Sequence, residues 1–158
     1  MRRRSFVATI GAVLAVPPRL CEADSRCSTS AGGLTAHDYR AYLAAFNRHD
    51  FAGFGRYYTE DVIFEGRGGN FRGRNQVLDF YRGVQTRLRE SLSIVDLIVG
   101  PQEIVADVLT TLYVLQDWPD FPAGPLRKGQ TVRSQNFIWY EVADGRFTHI
   151  RSAHYRYL

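Results

Sequence analysis

The 158-residue chain is poor in cysteine, in metal-ligand spacing and in long apolar runs, and each shortage excludes something. Its two cysteines, Cys21 and Cys27, both precede the region with folded-domain character, so no disulfide framework staples the domain. They stand near no histidine-containing catalytic pattern and read as linker thiols. No pattern such as HExxH spaces histidines with acids, and no metal is expected. The glycine-rich stretch 66–73 lacks the lysine of a P-loop and the spacing of a dinucleotide fingerprint, so it reads as a turn and no cofactor is expected. Net charge is small where it matters. Five of the 20 Lys and Arg and two of the 16 Asp and Glu lie at or before Gly33, which leaves the rest of the chain close to neutral. A neutral body is not built to follow a phosphate backbone, and no nucleic-acid partner is expected. The early apolar run, residues 7–16, is too short to span a bilayer, so stable membrane insertion is not expected either.

That run is part of a leader. Arg2-Arg3-Arg4-Ser5-Phe6, the apolar residues and then Pro17-Pro18 follow the order of a secretory signal, and Arg3-Arg4 before Ser5, Phe6 and Val7 resembles a twin-arginine export motif. Residues 1–33 are read as export signal and linker, which implies a periplasmic or secreted protein; a plain basic tail would leave it cytoplasmic. Val13 with Ala15 and Cys21 with Ala23 both suit a cleavage site. Export would permit a disulfide between the cysteines, and loss of Cys21 with the signal would leave Cys27 alone.

The remainder, 34–158, has the length of one domain, and a chain that is 45% hydrophobic and 13% aromatic can bury a core. Thr35 with Asp38 resembles a capping box, and Tyr39, Tyr42, Leu43 and Phe46 recur at helical spacing behind it. Phe51, Phe54 and Tyr58 mark a second, shorter helix. Residues 61–66 (DVIFEG) read as a strand, 66–70 as a loop, and Val77, Phe80, Tyr81, Val84 and Leu88 as the apolar face of a third helix. Beyond Arg89 the pattern is of strands, at 92–99, 104–116, 131–142 and 146–157, rich in β-branched and aromatic residues. Helices first and strands last predict an α+β domain with a mostly antiparallel sheet. Residues 117–129 (DWPDFPAGPLRKG) carry three prolines and read as a long loop over one end of the sheet.

Asp144-Gly145 favours a two-residue type I′ turn between the last two strands. If Ala143 pairs with Arg146 and the ladder is regular, Gln135 faces His154, Phe137 faces Ser152 and Trp139 faces Ile150 on one side of the sheet. The other side then pairs Asn136 with Ala153, Ile138 with Arg151 and Tyr140 with His149; a slip of one residue would exchange the two faces. Under helices, the open end of such a sheet leaves a hollow. The expected lining is Tyr42, Phe46 and Phe80 from helices and Phe64, Val108, Thr110, Leu112, Gln135, Phe137, Trp139, Ile150, Ser152 and His154 from strands. The bland alternative is that all of these are ordinary core. Asp107 is expected on the outer face, and Arg133 and Arg156 opposite each other near the sheet edge.

The segments Tyr42-Leu43-Ala44-Ala45-Phe46-Asn47-Arg48-His49-Asp50, Tyr57-Tyr58-Thr59-Glu60-Asp61-Val62, Phe71-Arg72-Gly73-Arg74 and 144–151 (DGRFTHIR) resemble, in order and spacing, the nuclear transport factor 2-like superfamily and its SnoaL-like members. The resemblance implies a cone of three helices wrapped by a curved sheet, commonly a homodimer, with a pocket for a small apolar molecule. It does not fix a reaction, since the superfamily includes cyclases, isomerases, dehydratases, epoxide hydrolases and members that only bind. Against the ketosteroid isomerase pattern, Tyr42 matches the tyrosine that donates to the oxyanion, while Gly66 stands at the position of the base and Gln135 at that of the protonated Asp. Glu65 is next to the vacant base position and would serve only if a bulge turned it inward. His154 is the expected proton-transfer group, with Tyr42 and Gln135 holding an oxyanion. Two functions stand open: acid/base chemistry on a small apolar oxygenated compound, and a non-catalytic binding or dimerisation domain.

Overall fold

The computed structural model describes residues 33–158; the expected leader, with Cys21 and Cys27, lies outside the described residues. The fold begins at the capping box read from the sequence. The Thr35 hydroxyl accepts from the Asp38 N–H, and the Asp38 carboxylate accepts from the Thr35 N–H at 2.9 Å. Behind it α1 (Ala36–Asn47) buries Tyr39, Tyr42, Leu43 and Phe46. His49, at φ 59°, turns the chain, and the Asp50 side chain caps α2 (Phe51–Gly55) by accepting from the Gly53 N–H at 2.8 Å.

The first strand, β1 (Tyr58–Gly66), starts earlier than the sequence suggests, and the glycine-rich loop is tighter. After a two-residue turn the chain returns as β2 (Gly69–Arg72), antiparallel to β1. Gly69 sits at φ 138°, a conformation that side chains oppose, and this is what the glycines of that stretch supply. Then come α3 (Arg74–Gln85), β3 (Leu88–Val99), β4 (Glu103–Val114), β5 (Thr131–Ala143) and β6 (Arg146–Tyr157). The sheet order is β2-β1-β6-β5-β4-β3, antiparallel except where β1 runs parallel to β6. Helices α1 and α3 cover one face. The Asn47 side chain ties α1 to β3, donating to the Leu92 carbonyl at 2.8 Å and accepting from the Leu92 N–H at 2.9 Å. Residues 117–129 fold back as an ordered loop: Trp118 and Leu126 exchange backbone hydrogen bonds, and Leu126 packs with Val84, Leu88 and Val114.

The last hairpin corrects the expected faces. Asp144 and Gly145 have φ of 49° and 68°, the signature of the I′ turn, and Ala143 pairs with Arg146 and Val142 with Phe147 as expected. Then the ladder slips. Glu141 pairs with His149, leaving Thr148 as an extra residue in β6. From there Tyr140 faces Ile150, Ile138 faces Ser152 and Asn136 faces His154, until a second irregularity at Tyr155 sets Gln135 against Arg156. One extra residue turns the remainder of β6 over relative to β5, so that Ile150 and Ser152 face inward after Phe147. β5 itself alternates without a break from Val142, so Tyr140 and Ile138 are buried and Trp139 and Phe137 point away from the helices, 44% and 42% exposed.

Candidate functional site

Between the helices and the concave face of the sheet lies a cavity of about 160 Å³. That is comparable to the roughly 150 Å³ apolar cavity that takes up benzene, and suits a molecule of one or two rings. Of the residues expected to line it, Tyr42, Phe46, Phe64, Phe80, Thr110, Leu112, Ile150, Ser152 and His154 do so. Val108 is fully buried in the main core and does not reach it. Gln135, Phe137 and Trp139 are placed outside, because they alternate with Ser134, Asn136, Ile138 and Tyr140, which face inward, and the bulge at Thr148 pairs Ile150, Ser152 and His154 with that inward set. The side chains of β5 that do look inward are Ser134, Asn136, Ile138 and Tyr140. One end of the cavity is closed by the proline-containing loop, through Phe121, Ala123 and Leu126. Arg67 holds that end: one guanidinium nitrogen donates to the Ala123 carbonyl at 3.1 Å and the other to the Tyr157 hydroxyl at 3.0 Å.

Gln135 is engaged elsewhere. Its amide nitrogen donates to both Asp107 carboxylate oxygens, at 2.9 and 2.7 Å, and its carbonyl accepts from Arg156 at 3.0 Å. Asp107 is thus on the outer face as expected, and Arg156 faces Gln135, with Arg133 set instead against Thr111. Inside the cavity a different amide takes the role of polar anchor. Asn136 donates to the Thr110 hydroxyl at 2.8 Å and the Ser134 hydroxyl at 3.0 Å, and its carbonyl lies 3.4 Å from His154 Nδ1. The His154 ring also packs on Tyr157, with centroids 4.4 Å apart. The sequence predicts His154 to face the cavity beside an amide, and it does, with the neighbour's identity shifted by one residue.

Gly66 supplies no base at its position, and a side chain there would be tightly placed. A Cβ there would meet Ser152 at 3.3 Å and the Phe64 ring at 3.4 Å. Glu65 does not turn inward; it meets His149 at 2.9 Å on the outside of the sheet. Among the described residues no group of His, Cys, Asp and Glu is arranged to hold a metal ion, and no helix is long and apolar enough to cross a membrane.

A cone of this shape, with its lining drawn from α1, α3 and the sheet, agrees with what the sequence matches. Residues 39–150 match the SnoaL-like domain family. The chain belongs to the SnoaL-like family. Solved structures share the fold. One, from Pseudomonas putida KT2440 and provisionally described as a polyketide cyclase, has 25% identity and a TM-score of 0.66, with 78% of this chain and 93% of that one covered. An epoxide hydrolase of M. tuberculosis described as LEH-like has 19% identity and a TM-score of 0.61, over 75% and 80% of the two chains. A protein with a ketosteroid isomerase-like fold from Catenulispora acidiphila, bound to trimethylamine, has 9% identity and a TM-score of 0.62, over 76% and 86%. No match was found among proteins with curated descriptions.

The SnoaL-like cavity holds a group that the sequence reading misses: Glu90. Reading β3 only from Leu92 hid it, whereas the alternation Leu88, Glu90, Leu92 puts all three on the cavity wall. Burial pushes its carboxyl up to about 7. Tyrosines in and beside the cavity respond to the same burial. Tyr42, whose hydroxyl lies 3.1 Å from that of Tyr58, has its pKa raised by burial, and that of Tyr39, which donates to Tyr140 at 3.2 Å, is pushed up to about 12. Burial likewise raises the pKa of Tyr81, and the charge of Glu90 adds to the effect. All therefore remain neutral hydrogen-bond donors near neutral pH.

The raised carboxyl makes a stability prediction. A carboxyl at about 7 in the folded protein and 4.5 in the unfolded chain binds more protons when folded, so stability falls as pH rises through that window. Glu90→Gln removes the penalty. In urea denaturation the variant is expected to match the wild type near pH 4 and to exceed it at pH 8, by at most about 3 kcal/mol; equal stability at pH 8 would show that the carboxylate is not desolvated.

Proposed function

We propose that this SnoaL-like domain is an enzyme that moves protons on a small, apolar, oxygenated ring compound held in the cavity, in an isomerisation, cyclisation or dehydration carried by its own side chains. The observation behind this reading is an apolar hollow of ring size in which a few polar side chains converge. Tyr42 can offer its proton to a ligand oxygen when Tyr58, which does not line the cavity, donates to it in turn. On the opposite wall His154, beside Asn136, serves a second polar group of the ligand. The non-catalytic reading draws on Gly66 and on the placement of Gln135, which leave both carboxyl positions of the isomerase pattern empty. Glu90 weighs against it by supplying a carboxyl from another strand.

We further propose that two copies pair through the outer face of the sheet. Phe137, Trp139 and Tyr155 are exposed side by side there, and Arg151 lies over the Trp139 ring at 4.8 Å.

Titration with 2-naphthol, a two-ring oxygenated probe, tests the cavity. Wild type is expected to bind one molecule per chain, with stabilisation of about 2.7 kcal/mol when the probe is at a hundred times its Kd. Ser152→Phe, which fills the cavity, abolishes this and Trp139→Phe does not; binding that survives Ser152→Phe, or no binding at all, would sink the reading. For the pairing, sedimentation of wild type should give a dimer and of Trp139→Asp a monomer, and a monomeric wild type would exclude the interface.

A further inference from the structure

The cavity wall carries one carboxylate, and the protein leaves it without a partner. Glu90 lies between the inward leucines 88 and 92 on β3 and borders both the main cavity and a smaller one beneath the helices, lined by Phe46, Phe54, Tyr81 and Val84 among others. Among the described residues no hydrogen bond or ion pair reaches its oxygens. A carboxylate in apolar surroundings costs stability, and donors of its own or an opposite charge would offset that cost. Here nothing does. What remains on offer to those oxygens is a proton, from water or from a bound molecule.

We propose that Glu90 is the catalytic base of this cavity and that the substrate is a one- or two-ring ketone with an acidic C–H next to its carbonyl. The proposal rests on the enzyme reading above and adds the base and the substrate class. In the step it implies, a Glu90 oxygen takes the proton from the α-carbon. The C–H electron pair forms the C=C bond of an enolate, and the carbonyl π pair moves onto oxygen. Glu90, now neutral, returns a proton to the α-carbon or to a conjugated carbon, so the reaction is a net isomerisation or exchange and consumes nothing. The oxyanion lies within a ring of neutral phenols. Tyr42 and Tyr81 both line the cavity, and the charge of Glu90 reaches each of them. A neutral phenol beside a carboxylate is a donor that cannot itself compete for the α-proton.

Glu90 and His154 stand far apart on the sheet. They are separated by β4 and β5, and the register runs from His154 through Asn136 and Val108 to Ile94, four residues along β3 from Glu90. The two groups therefore act at opposite ends of the molecule. Glu90 works on the carbon acid, and the Thr110, Ser134, Asn136 and His154 cluster receives an oxygen at the far end.

The experiment follows solvent deuterium into 2-tetralone by NMR in D₂O with the full-length protein. Wild type is expected to speed exchange at the α-carbons over buffer, with a rate that rises with pH through about 7, where Glu90 loses its proton. Tyr42, Tyr58 and Tyr81 face the same region and stay protonated there, and His49 is a further ionisable side chain that shares the smaller cavity with Glu90. Glu90→Gln should lower the exchange rate at least about 100-fold and erase the pH limb. Glu90→Asp should restore part of the rate, and Glu103→Gln, at an exposed position on β4, should behave as wild type. Binding of 2-naphthol to Glu90→Gln is measured alongside and should persist, which shows that the cavity is intact. Exchange that survives Glu90→Gln, or wild type that binds 2-naphthol yet exchanges no faster than buffer, overturns Glu90 as base and leaves the cavity reading standing. Failure of both binding and exchange overturns the two together.

Discussion

Much of what this domain can do follows from Thr148, which has no partner in the ladder between β5 and β6. Side chains alternate along a strand, so one extra residue in β6 turns the rest of β6 over against β5. Phe147, before it, and Ile150, Ser152 and His154, after it, all face the helices, opposite Val142, Tyr140, Ile138 and Asn136 of β5. Without it His149, Arg151 and Ala153 would point there instead, and the cavity would lose the His154 imidazole. β5 alternates without a break, which keeps Phe137 and Trp139 on the outer surface as an apolar patch.

The chemistry of the cavity comes from where desolvation is left unrelieved. On the outer face the charged groups are matched: Gln135 bridges Asp107 and Arg156, and His149 sits between Glu65 and Glu141. On the inner face hydroxyls and one amide satisfy one another, Tyr39 with Tyr140, Tyr42 with Tyr58, and Asn136 with Thr110 and Ser134. The Glu90 carboxylate has no such arrangement among the described residues. A group held at a cost to stability is best understood by what it can do there, and with a carboxyl near 7 it can accept and return a proton at neutral pH.

The elements were legible because they are driven by local chemistry. The Thr35–Asp38 box, the helical spacing of α1 and α3 and the Asp144-Gly145 turn act over a few residues, and the structure reproduces each. The cavity-facing side of β6, with Ile150, Ser152 and His154, was legible as well. The facing side of β5 was not, since a regular ladder carried the register from β6 across to the wrong residues; the bulge in β6 is a property of two strands pairing, and Thr148 carries no mark of it in its own sequence neighbourhood. Glu90 was hidden for a simpler reason. A single glutamate between two leucines looks like the exposed position of a helix end or strand start, and only the pairing of Leu88 with Val114 and of Leu92 with Thr110 shows that all three face inward. The return strand β2 was missed because a run of glycines hides a short hairpin.

The central claim is that one carboxylate stands desolvated and unpartnered on the cavity wall, and its own titration reports this most directly. In protein carrying ¹³C at the glutamate side-chain carboxyl, with the Glu90 signal assigned by its loss in Glu90→Gln, the account predicts a midpoint near 7 that moves when 2-naphthol fills the cavity. A midpoint at the ordinary glutamate value near 4.5, unmoved by the probe, would contradict it.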